Sequence, residues 1–160
     1  MDDFDWYRIF KMIHIFGVAM LAAGIGIETV VGPLMQKASS VQEVRAYTRA
    51  GKVAENFLNI PAFVLIVVFG YLTADKLNVD LDVTWLLIGQ IVAYAAFAVA
   101  FGYLRGAMLK ANKAAEAAPD GPLSDELRAM VNDPKPAALG GALLLAFVFL
   151  IYVMTVKPNW

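Results

Sequence analysis

Residues 7–35 read YRIFKMIHIFGVAMLAAGIGIETVVGPLM. Between Lys11 and Glu28 the stretch holds no charge, and its apolar character continues to Met35. A hydrocarbon core of about 30 Å needs about 20 helical residues. Only a helix or a closed barrel satisfies its own backbone there, and the glycines at 17, 24 and 32 recur near a helical period. Working outward, residues 57–74, 84–104 and 138–156 form three more apolar runs of similar length, and the segments between them carry most of the charge. The expected fold is all-α: one membrane domain over 1–160, an up-down-up-down four-helix bundle with spans at about 7–35, 57–74, 84–104 and 138–156.

Composition agrees, with 60% hydrophobic residues and a mean hydropathy of +0.63. A formal charge of −1 and no basic stripe interleaved with aromatics argue against nucleic acid. The lack of cysteine excludes disulfides, thiolate metal sites and iron–sulfur clusters. The opening MDDFDWY is acidic and no small-residue cleavage pattern follows, so the first span is expected to stay as an anchor.

Lysine and arginine near the span ends set the expected orientation. Arg8, Lys11, Lys76 and Lys157 lie on one side; Lys37, Arg45, Arg49, Lys52, Arg105, Lys110, Lys113, Arg128 and Lys135 lie on the other. Both termini are therefore expected outside, with cytoplasmic connections at about 36–56 and 105–137, in the inner membrane of a bacterium. Trp6, Tyr7, Trp85, Tyr152 and Trp160 all fall at expected outer ends, where amphipathic rings suit the headgroup level. In the first connection, Ser39 or Ser40 with Glu43 reads as a capping pair opening an amphipathic helix. Its Val41, Val44 and Tyr47 would face lipid or protein, and Arg45, Arg49 and Lys52 water and anionic headgroups. In the second, PDGP reads as a turn and SDEL as another helix start.

Polar groups inside spans demand a reason. His14, Leu21 and Glu28 keep close to one helical stripe with Gly17, Gly24 and Gly32 beside it, so the stripe should face a second helix. His14 and Glu28, roughly 21 Å apart along the helix, cannot share one site. Two layers are expected. The outer holds His14, Tyr71, Gln90, Tyr94 and Tyr152, a candidate ligand site in which His14 shares polar contacts with Gln90, Tyr94 or Tyr152. The inner holds Glu28, Thr29, Asn56 and Asn59, with Tyr103 and Arg105 nearby. Glu28 should be neutral, hydrogen-bonded to one of the asparagines, or paired with a basic residue of the inner connections. No serine, histidine and carboxylate could converge for nucleophilic catalysis, and no phosphate-cradling glycine loop appears.

RIFKMIHIFGVAMLAAGIG resembles the opening of a large bacterial group of four-helix membrane proteins. The group includes an uncharacterised predicted integral membrane protein family, CopD-type copper-resistance proteins and HemJ-type protoporphyrinogen oxidases. RAYTRAGKVAENFLNIPAFVLIVVFGYLTA, VTWLLIGQIVAY and the closing YVMTVKPNW are most similar to the uncharacterised family. The HemJ resemblance implies a b-type haem on the first-span histidine, here His14. Its second ligand, a lysine early in span three after a tryptophan, falls near Gly89 and Gln90 after Trp85, neither a usual haem ligand. A single histidine in the chain also rules out bis-histidine ligation within one protomer, which leaves five-coordinate iron or a ligand such as Met154. The CopD resemblance implies copper, for which Met12, Met20 and Met154 are the methionines near His14. The residues favour a non-catalytic accessory subunit or small-ligand binder whose partners are lipid and other membrane helices, in a homo-oligomer or larger complex. A haem-dependent redox protein is the alternative.

Overall fold

The computed structural model describes residues 5–157, so Trp160 lies outside the described residues. Those residues form helices and no strand; the one β-bridge joins Ser40 to Pro122. Helix α1 spans Trp6–Gln36, α2 Val41–Ala54, α3 Ile60–Lys76, α4 Thr84–Ala98, α5 Arg105–Ala117, α6 Asp125–Val131 and α7 Pro134–Val156. A π-helical turn, Glu55–Asn59, fuses α2 to α3, and a second, Val99–Leu104, fuses α4 to α5. Four helical stretches, Trp6–Gln36, Val41–Lys76, Thr84–Ala117 and Asp125–Val156, are long and apolar enough to cross a membrane.

Local signals explain the helix ends. The Asp5 side chain caps α1 by accepting from Arg8 N at 3.2 Å. At α2 the expected capping pair is shared by both serines: Ser40 Oγ accepts from Glu43 N at 3.3 Å, while Glu43 Oε2 accepts from Ser39 N at 2.7 Å. Ser124 caps α6 through Leu127 N. Asp133 precedes Pro134 at the start of α7, where a missing N–H costs nothing.

Two helix pairs build the apolar part. α1 packs most extensively on α3, and glycine sets the approach: a Cβ on Gly17 would come within 3.0–3.2 Å of Leu65, Ile66 and the Ala62 carbonyl. α4 packs on α7, where Gly89 faces Leu150, Val153 and Met154. The α3 and α4 backbones stay farther apart, and aromatic rings fill the gap. Phe63 stacks on Phe97 with centroids 3.6 Å apart, Phe97 meets Phe101 at 4.1 Å, and Tyr94 sits edge-on to Phe63 at 6.5 Å. Large side chains such as Phe16, Phe57, Leu145 and Val148 are exposed on the outside of these pairs, as a helix surrounded by lipid requires.

At 1.5 Å per residue, the 36-residue stretch Val41–Lys76 is about 54 Å long and overshoots a 30 Å core. The excess is α2, which with α5 and α6 makes a small cap at the end of the bundle that carries the two long connections. Its core is Val41, Val44, Ala115, Leu123, Leu127 and Val131, the best buried apolar cluster among the described residues. The apolar side of α2 is thus spent on protein. The expected role of Arg45 at headgroups is corrected. Its guanidinium donates to the Ala115 carbonyl at 2.8 Å and to the Ala118 carbonyl, and it pairs with Asp120 at 2.6 Å. It occupies the C-terminal end of α5, where orphan carbonyls and the helix dipole favour a cation. Arg45→Ala is expected to destabilise this cap by about 1 to 2 kcal/mol, since charge-assisted bonds are lost from a partly buried site. Faster hydrogen exchange confined to α5 and residues 118–123 would show it; unchanged exchange there would refute the clamp.

Candidate functional site

The polar residues of the long-connection end come together around the first π-helical turn. Asn59, its last residue, is buried and donates from Nδ2 to Glu28 Oε1 at 2.7 Å. Gly24, one turn before Glu28, makes this possible, because a Cβ there would fall on Asn59 Oδ1. That oxygen is buried and has no hydrogen-bond partner among the described residues. The residue as a whole is exposed, and thus keeps an open side although neighbouring protein crowds its carboxyl. Glu55, the first residue of the same turn, is buried and lies within electrostatic reach of Glu28. It accepts from Arg105 Nη1 at 3.1 Å, and Arg105 follows the second π-helical turn directly. Inserted π turns recur at functional sites, and here the pair joins the first residue of one turn to the residue that follows the other.

Of the expected partners Asn59 is the one that meets Glu28, and four other inner-layer residues are placed elsewhere. Asn56 does not join Glu28: it lies about 100° around the helix from Glu55 and is exposed. Arg105 neutralises Glu55 and makes no ion pair with Glu28. Tyr103 is exposed, and Thr29 turns its hydroxyl back to the Ile25 carbonyl at 2.7 Å. Glu55 itself was missed in the sequence because it reads as one more charge on an amphipathic helix. The available signal was its i,i+4 relation to Asn59, which keeps both near one face.

The outer-layer residues separate into three places. Tyr71 OH donates to Gln90 Oε1 at 3.3 Å and lies 2.8 Å from Tyr94 OH, and Gln90 Nε2 donates to the Leu81 carbonyl at 3.5 Å. With the Tyr71 proton committed to Gln90, Tyr94 is the donor of the phenol pair. His14 is elsewhere: its Nδ1 lies 2.9 Å from the Ile66 carbonyl. Gly70 lets the ring lie on the α3 backbone, with Cε1 and Nδ1 3.1 Å from where a Cβ would stand. A main-chain carbonyl, not Gln90, Tyr94 or Tyr152, is its partner. Tyr152 is exposed and makes no hydrogen bond among the described residues, because Val153 next to it takes the face toward α4. An apolar groove of about 300 Å³ runs between α4 and α7 over Ala95, Ala96, Ala142 and Ala146.

The sequence profile of one family, described as predicted integral membrane protein (DUF2269), matches residues 8–158. The chain belongs to this family. No curated protein and no solved structure matches it. Within this DUF2269 protein, the described residues hold no group of three or more His, Cys, Asp or Glu side chains able to share a metal. Copper at His14 would depend on methionines, but Met12 is exposed on α1, Met20 is half-buried about 9 Å of helical rise away, and Met154 packs against Gly89. For haem the test is the imidazole. A carbonyl only accepts, so Nδ1 is the donor of this bond and Nε2 is the nitrogen left for a metal, as in a metal-bound histidine held by a second partner. Gln90 and Tyr94 are engaged with Tyr71 and Leu81, and Met154 with Gly89. None of the three is brought to His14, so a haem on this protomer would be held through His14 alone.

Proposed function

We propose that this family member is a non-catalytic inner-membrane protein, with both termini outside, that serves a larger membrane assembly as an accessory, small-ligand-binding subunit. One observation carries the reading: Glu28, held by Asn59 at 2.7 Å, keeps an exposed side and has no basic side chain paired to it among the described residues. A carboxyl at the depth of a membrane span is costly unless it meets a proton, a cation or a polar partner group, so an accessible one is read as a site. The lipid-facing surface and the alanine-lined groove between α4 and α7 provide room for neighbouring helices.

On native gels of mild-detergent extracts the protein should run within a complex larger than the monomer. Glu28→Leu should release it as monomer, while Glu28→Gln, which keeps an acceptor for Asn59 and a polar surface, should retain the complex. Wild type running only as a ligand-free monomer by native mass spectrometry would overturn the reading. Orientation has its own test, made clean by the absence of cysteine. A cysteine at Asn78 should react with a membrane-impermeant thiol reagent in intact cells, and one at Ser124 should not; the reverse pattern would invert the topology.

The haem alternative rests on the bond from His14 Nδ1 to the Ile66 carbonyl, which leaves Nε2 as the nitrogen a metal would take. A Soret band in purified protein, lost in His14→Ala, would replace the proposal by a b-type haem redox protein.

A further inference from the structure

We infer that α2 and α5 together form a binding site for the headgroup of an anionic phospholipid, built from Arg49 and Lys52 on α2 and Lys113 on α5. The pairing of the two helices places these residues. Thr48 Oγ1 donates to Asn112 Oδ1 at 2.9 Å and Arg105 pairs with Glu55 at 3.1 Å, so the helices run antiparallel with residues 48 and 112 facing each other. In an antiparallel pair of right-handed helices, the residue after each facing residue turns by about 100° toward the same side. Arg49 and Lys113 therefore flank the α2–α5 contact from opposite helices at one level. Lys52, four residues after Thr48, stands on that side one turn nearer the apolar spans. Buried Gly51 and Ala111 keep the helices close. At an interaxial distance of about 8 to 10 Å, two long cationic side chains can converge on one phosphate.

Charge on this side is unopposed. The other two arginines of the helix pair have partners, Arg45 in Asp120 and the end of α5, Arg105 in Glu55. Arg49, Lys52 and Lys113 make no ion pair or hydrogen bond among the described residues. Glu116, one turn beyond Lys113 toward Arg45, is exposed and pairs with none of the three. Depth makes a lipid the occupant. α2 continues through the π-helical turn into α3, and its Val53 and the Phe57 of that turn are 53% and 71% exposed, as side chains among acyl chains are. Lys52 and Arg49 precede Phe57 by about 8 and 12 Å of helical rise. A headgroup layer extends roughly 5 to 8 Å beyond the hydrocarbon on each side, within reach of long basic side chains that bend toward it. On α5, Gly106 lies two turns from Lys113 on the same face, and an added carbon there would meet nothing within 4 Å, which leaves a track for an acyl chain. A phospholipid lying along this track and Val53 brings its phosphate to the three cations, and a net negative headgroup balances their charge.

The test is native mass spectrometry of the purified full-length protein in a mild non-ionic detergent, with equal amounts of dioleoylphosphatidylglycerol and dioleoylphosphatidylcholine. The first lipid retained should be phosphatidylglycerol by about tenfold, since a basic side chain at a surface favours an anionic headgroup by roughly fivefold at most and screening lowers this to about twofold for each of three. Arg49→Gln, Lys52→Gln and Lys113→Gln combined should bring the ratio close to one, and Arg49→Gln alone should halve it. Arg49→Lys with Lys113→Arg should keep it. Lys37→Gln, Arg128→Gln and Lys135→Gln combined remove as many cations from the same end outside the site, and should keep it as well. No preference in wild type, an undiminished preference in the site variants, or an equal loss in both triple variants would overturn the site. Displacement of the lipid by free glycerol phosphate would overturn it in favour of a soluble anion. Release of the native-gel complex by the site variant with its lipid preference intact would overturn it in favour of an acidic protein surface. The Glu28 variants leave these cations untouched, so the accessory reading and the lipid site fail separately.

Discussion

Gly24→Ala is expected to lower stability by about 2 to 4 kcal/mol, a large fraction of the total for a domain of this size. The added methyl would occupy the position of Asn59 Oδ1. Asn59 is buried in a π-helical turn packed on α1, so the amide cannot swing into solvent. Either the helices separate or Asn59 gives up its bond to Glu28. Gly26→Ala provides the contrast two residues away: nothing lies within 4 Å of its added carbon, and alanine is the better helix former, so it should be neutral or slightly stabilising. The double variant Gly24→Ala with Asn59→Ala removes the clash and should recover at least half of the loss, a coupling that a double-mutant cycle in detergent melts would read directly. Equal melting of the two single glycine variants would sink the account of the notch.

Arg105→Ala should cost about 3 kcal/mol, toward the lower end for a broken buried pair because the Arg105 side chain is 32% exposed and part of its charge is already hydrated. The loss falls on Glu55, whose side chain is 9% exposed and would be left without its cation. Glu55→Gln should cost less, since the amide oxygen still accepts from the guanidinium and Arg105 can turn toward water. Replacing both with leucine should return stability close to wild type, because the desolvation of two charges disappears together with their attraction. Urea or thermal melts of the four proteins would check the order. If Arg105→Ala and the double leucine variant lose stability equally, the pair is not what holds the two π-helical junctions together.

Legibility in the sequence followed the range of the interaction. The four apolar runs, the serine caps at Ser40 and Ser124 and the turn at Pro119–Pro122 depend on residues close together in the chain, and their chemistry is readable there. Of the glycine stripe beside His14 and Glu28, Gly17 and Gly24 identified the face of α1 that meets a helix, whereas an added carbon on Gly32 meets nothing within 4 Å. Depth along the spans also nominated Asn59 as a partner of Glu28, but it left Asn56 equally placed. The π-helical turns broke that symmetry. They are irregularities imposed by packing, and an apolar run such as VAFGYL gives no warning of one.

By itself, then, the sequence determined that this chain is an all-helical membrane protein with four apolar helices, because the cost of unpaired backbone in hydrocarbon admits no other form for runs of this length. It also determined that His14 and Glu28 belong to separate levels, since helical rise fixes distance along one helix. Only the tertiary structure decided the partners across helices. His14 turned to the Ile66 carbonyl because Gly70 opens the α3 backbone to its ring. Arg45 went to the end of α5, although it read as a cation for water and headgroups, and Arg105, expected near the level of Glu28, went to Glu55. Side-chain charge and length permit several such partners, and the choice among them is made by which backbone groups and carboxylates the packed helices bring within about 3 Å.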